Sequence, residues 1–237
     1  MLDRVTHLTL EVADLDAARA FYAERFGLTA AETSAREVLF PVGETELRLR
    51  RPDGVPRGGL HTHFAFTVAP GTGPGWRARL ADLDPETATF GESASLYVDD
   101  PDGNCVEIWG LDPDAGRDPG TDPGSPTGIF EVVLEVADLD DAVERFVALG
   151  FEPVDRGTSR RRSRLCGPVD VELWEPQLGI ADARGGVHVD LGFETVVPEA
   201  AAEAVAAWTT VRVDLDDGVR IRDADGHWLT FRRYSSD

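Results

Sequence analysis

The chain has 237 residues, which is enough for two domains of about 110 residues that each bury a core. It carries 44 acidic and 23 basic residues, a net charge of −21, and every basic residue is an arginine. This charge excludes nucleic acid and anionic lipid as partners, no apolar run approaches the roughly 18 residues that span a membrane, and the lack of lysine excludes Schiff-base chemistry.

The acidic excess also favours a halophilic source. In molar salt the Debye length shrinks to about 3 Å, so a dense acidic surface stays soluble without repelling itself apart. Codon bias in a GC-rich genome is the alternative explanation for the arginines. Two cysteines, Cys105 and Cys166, are too few for a disulfide framework. Because no signal-peptide pattern precedes the first strand, we expect a cytoplasmic protein.

The chain is a tandem duplication. The segment that starts at Glu11, Glu-Val-Ala-Asp-Leu-Asp, recurs at Glu135, and the turn sequence Asp99-Asp-Pro-Asp-Gly-Asn is echoed from Arg222. Between the copies lies a stretch rich in Pro, Gly and Asp without periodicity, which is typical of a linker. The predicted units are a first domain at 1–112, a linker at 113–127 and a second domain at 128–237.

Within each half, strands alternate with helices. Apolar residues at helical spacing predict helices at 14–26, 76–83, 139–149 and 198–208. Apolar and polar alternation predicts strands at 4–12, 37–40, 45–50, 61–68, 95–99, 104–109, 130–136, 163–166, 169–174, 187–193, 211–215, 219–222 and 228–233. Four βαβββ modules follow, which indicates an α+β fold of curved mixed sheets whose helices cover one face and whose concave faces enclose a cavity.

Three polar side chains stand on the cavity side of their strands. His7, His63 and Glu107 each alternate with apolar residues that face the helices. A lone histidine of this kind is more often a hydrogen-bonded strand residue. Together, two imidazoles and a carboxylate make a ligand set that suits Fe(II), and Mn, Ni, Co or Zn accept similar donors.

The motifs around these residues resemble the vicinal oxygen chelate (VOC) superfamily in its fused, two-domain form. That superfamily includes glyoxalase I, fosfomycin-resistance thiol transferases, bleomycin-resistance proteins and type I extradiol dioxygenases. The resemblance implies that His7, His63 and Glu107 bind a divalent metal, Fe(II) or Mn in preference, which a small substrate chelates through adjacent oxygens. The segments that carry it are Thr6-His7-Leu-Thr-Leu, His63-Phe-Ala-Phe and Asp100-Pro-Asp-Gly-Asn-Cys-Val-Glu107.

The second copy departs from this pattern. Aligned repeats put Glu131 at the position of His7, Asp190 at that of His63 and Thr230 at that of Glu107. This set is poor for a transition metal, so a degenerate second site is expected. Should the halves exchange their opening strands, the ligands become Glu131, His63 and Glu107. We favour His7, because exchange leaves it beside Asp190 and Thr230 without a purpose.

The resemblance also bears on the reaction. Tyr97, ten residues before Glu107, resembles the extradiol tyrosine and is expected to donate a hydrogen bond to substrate. The family's acid/base histidine is missing from 87–95, and His61 is either its substitute or a histidine at the cavity rim.

Several functions follow as candidates. A dioxygenase-like reaction on a catechol-type compound leads over glyoxalase-type isomerisation and thiol transfer, in a monomer or homodimer. The contrasting hypothesis is a metal-free, bleomycin-resistance-like protein that binds a small molecule. The arginine cluster at 160–164 is either a solvated face or an attractor of anionic substrates.

Overall fold

The computed structural model describes residues 2–52, 62–112, 122–159, 161–175 and 189–234. In these ranges the α-helices are α1 (Leu15–Phe26), α2 (Gly73–Arg79), α3 (Leu139–Ala148) and α4 (Pro198–Ala204). The strands of the first half are β1 (Leu2–Glu11), β2 (Glu32–Thr33), β3 (Glu37–Val42), β4 (Thr45–Arg50), β5 (Thr62–Thr67), β6 (Glu86–Phe90), β7 (Ser93–Asp99) and β8 (Cys105–Leu111). Those of the second half are β9 (Gly128–Glu135), β10 (Glu152–Arg156), β11 (Arg162–Cys166), β12 (Asp170–Trp174), β13 (Asp190–Thr195), β14 (Thr209–Leu215), β15 (Gly218–Asp223) and β16 (Trp228–Arg232).

The strands form two eight-stranded sheets, and each sheet takes strands from both halves of the chain. Sheet A has the order β14-β15-β16-β13-β1-β4-β3-β2, and sheet B the order β10-β11-β12-β9-β5-β8-β7-β6. Their central junctions are antiparallel, β1 against β13 and β5 against β9. The α+β class with four repeated modules is confirmed. Each half contributes one module to each sheet.

The helices begin and end where local chemistry dictates. The side chain of Asp14 caps α1 by accepting hydrogen bonds from the next backbone N–H groups, and Asp138 does the same for α3. Gly27 ends α1 in the left-handed conformation at φ 66°. No helix in the described ranges is both long and apolar enough to cross a membrane.

The hydrophobic core fills the space between the two sheets. From α1, the Phe26 ring lies 5.3 Å from Phe66 of β5 and 6.0 Å from Trp76 of α2. In the second half, Phe151 follows α3 and its ring lies 6.0 Å from Phe193 of β13. The helix-facing sides of the strands are therefore buried, and the opposite sides remain for polar residues.

Two equivalent turns tie the sheets together. The carboxylate of Asp102, between β7 and β8, accepts a hydrogen bond of 2.6 Å from the backbone N–H of Ala13, just after β1. Asp225 accepts the corresponding bond of 2.8 Å from Ala137. The first turn fixes the start of β8 and so positions Glu107.

The sequence missed three strands: β2, β6 and β10. All three lie at or next to sheet edges and most of their side chains are exposed, so they show no apolar alternation to detect. The linker predicted at 113–127 is described only from residue 122, and its boundaries stay a prediction.

Candidate functional site

The candidate site lies on the concave face of sheet B, where β5, β8 and β9 run side by side. In the strand register, Ala65 of β5 pairs with Glu107 of β8 on one side and with Glu131 of β9 on the other. Paired residues share a face, and so do residues two apart on one strand, so His63 faces the same way. Two carboxylates and an imidazole therefore surround the small methyl group of Ala65.

His63 and Glu107 are in direct contact. The Nε2 atom of His63 lies 3.0 Å from Oε2 of Glu107, and both residues are buried. Tyr97 of β7 pairs with Glu107, and its ring centroid lies 5.6 Å from that of His63. Burial raises the pKa of Tyr97, and the charge of Glu107 raises it further. The hydroxyl therefore stays protonated at neutral pH and can donate a hydrogen bond.

These residues open into a cavity of about 780 Å³. Its walls include an aromatic stack, in which the rings of Trp109 and Phe130 lie 4.4 Å apart, and Trp174, whose ring is 6.5 Å from that of His63. A space of this size with apolar walls and a few convergent polar groups is typical of a small-molecule site.

Charged residues of the second half form the other side of the cavity. Glu172 accepts hydrogen bonds from Arg162 at 2.8 Å and from the indole of Trp174 at 2.6 Å. Glu131 pairs instead with Arg164, whose Nε lies 3.3 Å from its Oε1. Burial and the neighbouring charge of Glu172 raise the pKa of Glu131 to about 8, although Arg164 lowers it.

The donor chemistry at this site fits a divalent metal. One imidazole and two carboxylates are available, and the methyl group of Ala65 leaves the space between them open. Within the described ranges, no group of three His, Cys, Asp or Glu side chains is close enough to hold an ion as it stands. His63 and Glu107 already touch each other, and the third donor, Glu131, is turned toward Arg164.

The structure does not bring His7 to this site. His7 lies on β1 in sheet A, buried, with its Nε2 atom 3.8 Å from Oδ1 of Asp190. Asp190 also accepts a hydrogen bond of 2.8 Å from Thr230 and pairs with Arg220 at 2.8 Å. His7 therefore lies apart from His63 and Glu107, and Glu131 lies beside them, because β1 pairs with β13 and β4 whereas β9 pairs with β5. Which of the two residues is a ligand stays a prediction. The opening strand of the second half, β9, lies beside β5 of the first half, and the opening strand of the first half, β1, lies beside β13 of the second half.

The structure places some of the other residues that the sequence suggested in this cavity. Tyr97 lies in the cavity, as expected, whereas His61 falls outside the described residues. Cys105 also lines the cavity, and burial raises the pKa of its thiol, so it stays protonated. The sequence did not single out Glu172, although its alternation with Val171 and Leu173 on β12 was the available signal.

Comparison with known proteins adds sequence relatives. A family model described as "Bleomycin resistance protein-like N-terminal" matches residues 4–43. The metallothiol transferase FosB of Shouchella clausii is 27% identical over 117 residues, covering 46% of this chain and 80% of the relative. The glutathione transferase FosA of Serratia marcescens is 32% identical over 117 residues, covering 46% of this chain and 81% of the relative.

Solved structures share the whole fold. A putative dioxygenase from Bacillus subtilis has 16% identity and a TM-score of 0.72, over 98% of this chain and 85% of that one. Glyoxalase I from Zea mays has 18% identity and a TM-score of 0.65, over 97% and 92%. These likenesses concern the fold, and the family follows from the sequence relatives together with the repeated modules. The chain belongs to the vicinal oxygen chelate superfamily, in its fused, two-domain form.

Proposed function

We propose that the chain is a divalent-metal-dependent VOC enzyme that acts on a small, oxygen-chelating substrate in the sheet B cavity. The observation that supports this most directly is the register that sets Glu107 and Glu131 on either side of Ala65, with His63 on the same face. These three residues would hold the ion. When bound there, a divalent ion supplies Lewis-acid activation and a template for the substrate oxygens.

The remaining cavity residues bind and orient the substrate. The protonated hydroxyl of Tyr97 donates a hydrogen bond, either to Glu107 or to a substrate oxygen beside it. The stacked rings of Trp109 and Phe130 give an apolar wall that excludes water from one side.

Thiol transfer to a small electrophile is the first candidate reaction. It draws support from the relatives at 27% and 32% identity, which are named as a metallothiol transferase and a glutathione transferase. Catechol-type dioxygenation, the leading hypothesis from the sequence alone, is the second candidate. Its support is Tyr97 beside Glu107, and its acid/base candidate, His61, lies outside the described residues.

The metal content of purified variants tests this function. We expect protein purified without chelators, or reloaded with Mn²⁺ or Fe²⁺, to hold an ion that His63→Ala and Glu107→Ala lose and that Glu131→Ala binds more weakly. His7→Ala is the control, because His7 lies in sheet A. Far-UV circular dichroism confirms that each variant is folded.

Two results would contradict the proposal. Loss of the ion in His7→Ala alone would indicate that His7, and not Glu131, binds the metal, against the strand order of the two sheets. Protein that takes up no ion and still binds small molecules would support the metal-free binding hypothesis instead. Assays with glutathione plus fosfomycin, and with a catechol plus dioxygen, then separate the two candidate reactions. Cytoplasmic location, a halophilic source and a monomeric or homodimeric state stay predictions.

A further inference from the structure

Arg164 occupies a central position in the sheet B cavity. On one side its Nε lies 3.3 Å from Oε1 of Glu131, and on the other its Nη2 pairs with Asp170. Its guanidinium carbon lies 5.3 Å from the centroid of the Phe130 ring, on which it packs as a cation on an aromatic face. The arginine is therefore held from three directions while it engages the carboxylate that the metal would need.

Of the two carboxylates that Arg164 contacts, that of Glu131 is the more distant. The Nε–H of Arg164 is buried and, among the described residues, makes no hydrogen bond of good geometry. At 3.3 Å it is an ion pair without a well-aligned donor. An ion pair that lacks this hydrogen bond is the one that a competing cation displaces most readily, because little is lost beyond the charge attraction itself.

Arg162, on the same strand, is held by two close ion pairs and serves as a comparison for Arg164. It stands two residues earlier on β11, so it faces the same way, but it binds Glu172 at 2.8 Å and Asp155 at 2.7 Å. Glu172 is further fixed by the indole of Trp174. The carboxylate of Glu172 is thus held by two protein donors, whereas Glu131, which stands across Ala65 from Glu107, is held by its contact with Arg164.

We propose that Arg164 is a positioning residue that competes with a divalent cation for the carboxylate of Glu131. Binding of the cation transfers Glu131 to the ion and leaves the Nε–H of Arg164 facing the cavity, where it accommodates an anionic group of the substrate. Metal binding frees Arg164 to bind the anion, and an anion bound to Arg164 draws it away from Glu131. Each ligand therefore raises the affinity of the site for the other. This inference rests on the proposed metal site of His63, Glu107 and Glu131.

Mn²⁺ titrations of the full chain by calorimetry test the competition. At a pH above the pKa of Glu131 in both proteins, so that proton binding does not differ, we expect Arg164→Gln to bind Mn²⁺ about five- to tenfold more tightly than the wild type, since a competing charge has been removed. Arg164→Lys keeps the charge and should return the affinity toward the wild-type value. Arg162→Gln is the matched control: it removes an equal charge from the same strand and should change the affinity by less than about twofold.

Two further measurements show whether the effect acts through Glu131. In a Glu131→Gln background, Arg164→Gln should leave the Mn²⁺ affinity unchanged. At constant ionic strength, inorganic sulfate should tighten Mn²⁺ binding to the wild type and have no such effect on Arg164→Gln. Circular dichroism confirms the fold of every variant.

The possible outcomes distinguish failure of this inference from failure of the proposed metal site on which it rests. Equal tightening by Arg162→Gln and Arg164→Gln, or an Arg164 effect that survives in Glu131→Gln, would show general electrostatics and overturn the competition while leaving the metal site in place. Mn²⁺ binding that is equal in the wild type and His63→Ala, or absent from both, would overturn the proposed metal site and this inference with it.

Discussion

At the scale of single residues, the two sheets have four equivalent positions at their centres, which lie at a cavity in sheet B but form a buried cluster in sheet A. Sheet B has Glu131, His63, Ala65 and Glu107 at its centre, and the three polar side chains of this set line a cavity. The equivalent residues of sheet A close its centre with a buried cluster of paired polar groups. They are His7, Asp190, Gly192 and Thr230. One duplicated architecture thus yields a candidate binding site and a packed ionic core.

The missing side chain at Gly192 is what admits the His7 ring. A Cβ atom at this position would lie 2.1 Å from both Cε1 and Nδ1 of His7. We therefore expect Gly192→Ala to lower the free energy of unfolding by about 1–3 kcal/mol, as overpacking does elsewhere. Urea unfolding measures this, and the double variant with His7→Ala should recover part of the loss. Strictly additive effects of the two substitutions would contradict the contact.

The buried carboxylate of Asp190 makes stability depend on pH. Burial alone would raise the pKa of Asp190, but the neighbouring His7, the charge of Arg220 and the hydrogen bond from Thr230 outweigh it and hold the pKa well below its usual range. A carboxyl group whose pKa is depressed by folding contributes stability above its unfolded pKa of about 3.9, and this contribution is lost as the pH falls below that value.

Replacement of Asp190 by asparagine tests that linkage. We expect Asp190→Asn to lower the free energy of unfolding at pH 7 by about 1–3 kcal/mol, because buried donors of Arg220 and Thr230 lose a charged acceptor. Between pH 4 and more acidic values, denaturation curves of the variant should change less steeply with pH than those of the wild type. An unchanged pH dependence would show that another carboxylate governs acid unfolding.

At the scale of elements, the equivalent turns at Asp102 and Asp225 make the same backbone hydrogen bond, and Asp225 also pairs with a buried arginine. Each accepts a hydrogen bond from the second residue after the opening strand of its half. Asp225 also pairs with Arg145 of α3 at 2.7 Å, and that arginine is only 1% exposed. The second turn therefore anchors a buried charge in addition to a backbone N–H group.

A paired substitution at these turns separates the two contributions. We expect Asp102→Ala to lower the free energy of unfolding by about 1–2 kcal/mol, the contribution of a hydrogen bond from a backbone N–H to a charged acceptor. Asp225→Ala should cost more, because Arg145 also loses a partner in the interior. Chemical denaturation of both variants checks the order. A smaller loss for Asp225→Ala would mean that Asp223, 3.3 Å from the same guanidinium, suffices.

Element prediction succeeded where one face of a strand is buried. Alternation located β1, β4, β5, β8 and β9, whose inward residues are buried against helices. It failed at β6 and β10, where the side chains are almost all exposed and only backbone pairing with a neighbour holds the strand. A pattern based on burial carries no signal there.

At the scale of the whole molecule, the net charge of −21 predicts a protein that depends on salt. Repulsion among acidic groups destabilises the folded state at low ionic strength, and multimolar salt screens it. We therefore expect the thermal unfolding midpoint to rise between low and multimolar KCl. Differential scanning calorimetry at both salt concentrations checks this. Equal midpoints would leave codon usage as the explanation for the composition.

The sequence by itself determined the duplication, the four modules and the polar side of strands such as β5 and β8, because these depend on local alternation and repeated motifs. Alternation placed His63 and Glu107 on one surface together with His7, and the family resemblance added Tyr97. Only the tertiary structure decided which modules share a sheet. The four modules have the same local pattern, so the pairing of β5 with β9 rests on contacts between distant parts of the chain. That pairing places Glu131, and not His7, beside the other two candidate ligands.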